Sequence, residues 1–128
     1  MKIKDKVKRT ERGWAGHFIC AENCQFRRNT LLEYGDRQWV ISTVGRLLTT
    51  DYETKKLKFD TIGAFNRYYE TMAFVATKDE DGYIDANTSV PIDFESDWAI
   101  HDIEIDSEQR ANDMHEKVVE ELIKKIQL

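Results

Sequence analysis

Strand-forming segments fill most of the chain and one amphipathic segment closes it. This order predicts an α+β fold, an antiparallel β-sheet covered by a C-terminal amphipathic helix. The clearest hairpin signal is Thr30–Tyr34 and Arg37–Val44 flanking Gly35-Asp36, because glycine in the first place of a two-residue loop suits a type II′ turn. The clearest helix signal is Ala111, Met114, Val118, Val119, Leu122, Ile123 and Ile126, which fall on one arc at 100° per residue. A length of 128 residues supports one hydrophobic core, so residues 1–128 are read as a single domain.

Residues 1–12 are basic, with Ile3 and Val7 among the charges, and read as an arm or an edge strand. Residues 14–20 alternate Trp14, Gly16, Phe18 and Cys20 against Ala15, His17 and Ile19, which predicts a strand buried on both faces. Residues 49–60 are polar and lysine-rich and read as an excursion. Tyr68–Ala76 is dense in aromatic and branched residues and is the strongest strand candidate, followed by a turn at Lys78–Gly82. Tyr83-Ile84 begins a return strand, and Val90–Phe94 and Trp98–Ile100 read as short strands or loop anchors. The helix spans 106–127, with Asp106 and Gln109 spaced as in a capping box.

The composition, 41% hydrophobic and 34% charged, is that of a water-soluble globular domain. No apolar run approaches the roughly 18 residues of a membrane span, and Met1–Lys6 has no apolar signal-peptide core. The expectation is a cytosolic protein without membrane contact, whose two cysteines are reduced thiols. Net charge is −5, distributed unevenly: residues 1–78 carry fifteen Lys and Arg against nine acids, residues 79–128 four against fifteen. Overall acidity argues against general nucleic-acid binding, which depends on neutralising phosphates. It leaves room for one local phosphate pocket.

Few motifs carry chemistry. His17, Cys20 and Cys24 lack a second pair at zinc spacing, and no nucleophile elbow, metalloprotease signature or phosphate-binding glycine loop is present, so no catalytic residue, metal or cofactor is assigned. His115 falls on the apolar arc of the helix and reads as a core or interface residue. The neighbours Arg27 and Arg28 stand in an apolar run, and a guanidinium fork matches phosphate or carboxylate. On a strand they point to opposite faces, which singles out Arg28 as the phosphate candidate and leaves Arg27 to a salt bridge or an outer rim. Arg110 lies in the first helical turn, where the helix dipole already favours an anion over a cation. Trp14, Tyr68, Tyr69 and Tyr83 are rings beside turns or arginines that could stack on a purine, and Asn66-Arg67 adds an amide and a charge. The run Asp79–Glu108, with eleven acids and no Lys or Arg, gives a competing reading. In that reading the protein is a small acidic inhibitor docking on a basic, nucleic-acid-binding surface of a host protein.

The segments Arg12–Cys20, Cys24–Leu32, Val40–Gly45, Arg67–Phe74 and Ala111–Glu116 together resemble a small phage protein. They are identified with the phage Thoeris anti-defence sponge family, which sequesters cyclic ADP-ribose isomers. The resemblance covers nearly the full length. It implies a non-enzymatic homodimer or higher homo-oligomer in the host cytoplasm that binds a cyclic nucleotide immune signal without cleaving it. It also implies a pocket at a subunit interface, with Arg28 and Arg110 on phosphates and Tyr83 stacked on the base where the family has a phenylalanine. Trp14 joins the site, and Asn87 or Asp93 supplies the polar contact to the base.

Overall fold

The computed structural model describes residues 6–13, 16–17, 23–62, 66–92, 98–103 and 106–127. In chain order the elements are β1 (Lys8–Glu11), β2 (Cys24–Tyr34), β3 (Arg37–Thr50), β4 (Leu57–Asp60), β5 (Tyr69–Lys78), β6 (Ile84–Ile92), β7 (Ala99–Ile100) and α1 (Ser107–Ile126). The strands form one antiparallel sheet in the order β1-β2-β3-β5-β6, with β4 added to the far end of β3 and β7 to the start of β5. The α+β architecture read from the sequence is the one observed.

The β2–β3 hairpin closes as its sequence requires. Tyr34 pairs with Arg37, Gly35 takes φ +64° and Asp36 does not follow it to positive φ, which is the II′ pattern. The basic arm becomes edge strand β1 over its last residues, with Lys8 opposite Glu33 and Glu11 opposite Thr30. Residues 49–60 depart from the expected excursion: β3 runs on to Thr50 and β4 returns beside it, pairing Thr50 with Leu57 and Leu47 with Asp60. Lysines hide the strand-forming Leu57 and Phe59 in that segment. The Asp51 carboxylate closes the turn by accepting the N–H groups of Glu53 and Thr54. Gly16 and His17 belong to no strand, His17 lying at a bend, while the rest of the strand expected over 14–20 lies outside the described residues. Val90–Ile92 belongs to the end of β6 and is not a separate strand. The capping box does not form either. Asp106 occupies the N-cap position without a side-chain bond to the helix, and Gln109 bonds instead to Asp113 one turn on.

Alternation along each strand sorts the side chains onto two faces. Arg28, Thr30 and Leu32 of β2 share the helix side with Trp39, Ile41 and Thr43 of β3 and with Thr71, Ala73 and Val75 of β5. Here Val118, Val119 and Leu122 of α1 pack on Leu32, Trp39, Ile41 and Ala73, each buried side chain contributing about 1.5–3 kcal/mol. The helix start is pinned separately. Tyr69 is fully buried and its hydroxyl donates to Ser107 Oγ at 3.4 Å. The Tyr69 ring lies over Gly45, where an added Cβ would come within 2.3 Å of the ring and 2.6 Å of the Tyr68 carbonyl oxygen. The opposite, loop side of the sheet carries Asn29, Leu31, Val40, Ser42 and Phe74, with His17 over Ser42 and Phe74 and Ile62 against Val44.

The helix side has a polar centre. His115 is fully buried and bonded to Thr30 Oγ1 through Nε2 and to Thr43 Oγ1 through Nδ1, both at 2.7 Å; Thr43 Oγ1 in turn meets Thr71 Oγ1 at 2.6 Å. Thr30 also donates to the Glu11 carboxylate at 2.9 Å. Thr30 therefore accepts from Nε2–H, and with the imidazole neutral Nδ1 accepts from Thr43. Burial, aided by the nearby Arg28 charge, pushes His115 down to about 4.

Two outcomes follow. Because His115 titrates near 6.5 when unfolded and about 4 when folded, its stabilising effect is intact above 6.5 and is lost as pH falls through that window. Denaturant unfolding should lose about 2 kcal/mol between pH 7 and pH 5 through this residue, and His115→Gln should flatten that slope. Gly45→Ala should destabilise by about 3 kcal/mol, read as a lower denaturation midpoint, since the ring and a backbone carbonyl both block the new methyl.

Candidate functional site

Arg28 projects from β2 toward α1. Its Nη1 donates to Asn112 Oδ1 at 2.9 Å and to Glu116 Oε1 at 2.8 Å, and its Nη2 pairs with Glu11. Arg9 completes the cluster with a bidentate grip on Glu116 at 2.6 and 2.7 Å and a bond from Nε to Glu11 at 3.0 Å. Two guanidinium groups thus share two carboxylates. The hydrogen bonds from Arg9, with help from Arg28, hold the Glu116 carboxyl down to about 2, and the same contacts lower that of Glu11 against its desolvation.

Arg110 sits two residues before Asn112 in the first turns of the same helix and pairs with Asp102, its Nη1 to Oδ1 at 2.5 Å. Arg28 and Arg110 thus both involve the N-terminal half of α1, Arg28 by its bonds to Asn112 and Glu116 and Arg110 by its own place in the first turn. At this end Arg46 also reaches Glu108 at 3.6 Å while covering the Phe59 ring at 4.0 Å. A left-handed turn at Arg46, φ +51°, aims that side chain across the end of the sheet. The carboxylates that hold Arg28 and Arg110 are themselves 38–49% exposed, so these pairs are of the solvent-screened kind.

Tyr83 lies elsewhere. It starts the second arm of the β5–β6 hairpin, is 72% exposed, and lines a shallow cavity with Arg12, Leu31, Gly82 and Ile84 on the loop side. Asn87 is on the same hairpin, its Oδ1 accepting from the backbone N–H and the hydroxyl of Ser89. Within one chain Tyr83 therefore lies across the sheet from Arg28. Trp14 and Asp93 fall outside the described residues. Of the other rings considered, Tyr69 is core and cannot stack on a ligand, and Arg67 is paired with Glu70 at 3.0 Å.

A second group on the loop side went unread in the sequence. His17 bonds Ser42 Oγ through Nδ1 at 2.9 Å and Glu70 Oε1 through Nε2 at 3.2 Å, with its ring 5.8 Å from that of Phe74. The bond from His17, together with Arg67, lowers the Glu70 carboxyl. The order serine–histidine–carboxylate is that of a nucleophilic triad, but the geometry for acyl transfer is missing. Ser42 is 1% exposed and mid-strand between Asn29 and Met72, where the ladders on either side occupy the neighbouring backbone N–H groups that an oxyanion hole needs. The arrangement serves to fix hydrogen-bonding groups in a wall. Sequence spacing gave no signal for it, because the three residues are 25 and 53 positions apart.

Among the described residues no group of three or more His, Cys, Asp or Glu could hold a metal ion, and Cys24 is buried. No helix among the described residues is long and apolar enough to cross a membrane. Neither a family model, a curated protein nor a solved structure matches the chain.

Proposed function

We propose that this protein binds a cyclic nucleotide immune signal, a cyclic ADP-ribose isomer being the first candidate, and sequesters it without cleavage between copies of itself in the host cytoplasm. The observation that carries the reading is the separation just described. Arg28 and Arg110 flank the first turns of α1, held by half-exposed carboxylates that a phosphate can replace at little cost. The bare ring of Tyr83 is on the other side of the sheet. A ligand stacked on Tyr83 and paired with both arginines must therefore lie between two chains.

The charge distribution favours such a contact. The β3–β4 hairpin exposes Tyr52, Leu57 and Phe59 beside Lys55, Lys56 and Lys58, and the β5–β6 turn exposes Tyr83 beside Asp79, Glu80 and Asp81. Seating the acidic turn of one copy on the basic hairpin of another brings Tyr83 toward Phe59 and Arg46. That is the end of the sheet where Glu108 and Arg110 begin the helix. Enclosing a preorganised charged ligand between rigid elements in this way gives the tight binding that sequestration needs.

Thermal denaturation with cyclic ADP-ribose isomers tests this. Saturating ligand should raise the midpoint by mass action, and Tyr83→Ala or Arg110→Ala should weaken binding at least tenfold with little change in the unliganded midpoint. Arg28→Ala should do the same and also lower stability, since it leaves Glu11 and Glu116 with one cation fewer. Ligand recovered after heating should be chemically unchanged; a cleaved product would sink the proposal. No shift with any cyclic nucleotide, together with salt-sensitive capture of a basic protein by the Asp79–Asp81 turn, would favour the inhibitor reading instead.

A further inference from the structure

The two ends of the sheet carry unlike surfaces. At one end the β3–β4 hairpin exposes the large side chains of Tyr52, Leu57 and Phe59, and the stretch Lys55–Phe59 holds three lysines and no acid. Two acids that flank it are engaged by the hairpin's own backbone: Asp51 accepts the N–H groups of Glu53 and Thr54, and Asp60 that of Thr61. At the other end the β5–β6 turn exposes Tyr83 beside Asp79, Glu80 and Asp81, with Lys78 before them. Strand β3 joins the two ends, pairing Thr50 with Leu57 at the hairpin and Gln38 with Ala76 next to the turn. Its 14 residues span roughly 45 Å at about 3.3 Å per residue. The two surfaces also face opposite ways. Phe59 lies against the Arg46 guanidinium that reaches Glu108 of α1, so Phe59 and, by alternation, Leu57 face the helix side. Tyr83 faces the loop side, where it lines a cavity with Arg12 and Leu31.

We infer that copies of this chain assemble head to tail, the acidic turn of one on the basic hairpin of the next, as a ring or filament of three or more chains and not as a two-fold dimer. The inference rests on the reading above, from which it takes the contact between turn and hairpin, and it adds the symmetry. Charge selects a second copy as the occupant: Asp79, Glu80 and Asp81 meet Lys55, Lys56 and Lys58 while the Tyr83 ring meets Leu57 and Phe59. A two-fold dimer requires each copy to present its hairpin and receive its partner's across the same interface. Here a copy that seats its loop-side turn on a neighbour's hairpin holds its own hairpin at the far end of its sheet, facing away from that neighbour. Each pair therefore makes one such contact and leaves one hairpin and one turn for further copies. Such a repeat closes into a ring where the rotation allows and otherwise continues as a filament. Every junction holds one Tyr83, so a ring carries one signal site per chain.

Light scattering and sedimentation of the full chain without nucleotide test the inference. At low salt the mass should be that of three or more chains. It should fall toward the monomer at about 1 M salt, where charges are screened beyond about 3 Å. A variant with Lys55→Ala, Lys56→Ala and Lys58→Ala, and another with Glu80→Ala and Asp81→Ala, should each be monomeric alone. Mixed in equal amounts they should form a pair of one chain each, because one keeps its turn and the other its hairpin. A wild-type mass of two chains, a monomer at millimolar concentration in low salt, or a mixture that stays monomeric overturns the inference. Because nucleotide is absent throughout, failure to assemble is read separately from failure to bind the signal: assembly without any thermal shift sinks the signal reading and keeps the interface.

Discussion

The hydrogen-bond chain through His115 is the constraint on which the rest of the helix side depends. It runs from Thr71 on β5 through Thr43 on β3, the imidazole on α1 and Thr30 on β2 to Glu11 on β1. Four strands and the helix are thus tied at one point in the middle of an otherwise apolar layer. Such a chain has one polarity only, set by its carboxylate end, and a shift of α1 by one residue would break both imidazole bonds. Apolar packing of Val118, Val119 and Leu122 presses the helix to the sheet without choosing its register closely. The buried polar chain selects it, because every alternative leaves a desolvated group without a partner.

The same chain explains why Arg28 stands where it does. Its Glu11 terminus is paired with Arg9 and Arg28 from β1 and β2, while Glu116 and Asn112 fix the guanidinium of Arg28 from the helix. The fold therefore holds that guanidinium in a fixed orientation between strand and helix. Arg110 pairs with Asp102 near the helix start, where the dipole adds to its positive potential.

The two faces of the sheet divide the chemistry. On the helix side, charges neutralise one another in a compact cluster. On the loop side, His17 is held by Ser42 and Glu70, partners 25 and 53 positions away in the sequence. An acidic chain can carry both because the sheet separates them.

Much of the architecture was legible before any coordinates, because periodicity is a local property. The alternation in β2, β3 and β5, the glycine of the II′ turn and the 100° arc of α1 each act within a dozen residues. The β3–β4 hairpin was not legible, since exposed lysines on a two-stranded extension look the same as those of a loop. The capping box failed for a related reason: spacing makes it possible, but Gln109 found Asp113 instead. Arg28 and Arg110 could be picked out as cations on rigid elements; that both attach to the first turns of α1, each with carboxylates already in place, could not. Asn29 and Ser42 looked like ordinary strand residues until pairing set them opposite each other beside Arg12. Sequence by itself determined the elements, the buried stripes and the types of group available. Only the tertiary structure decided which of them meet, because partners 17 to 107 positions apart are chosen by sheet register and helix docking, neither of which local patterning encodes.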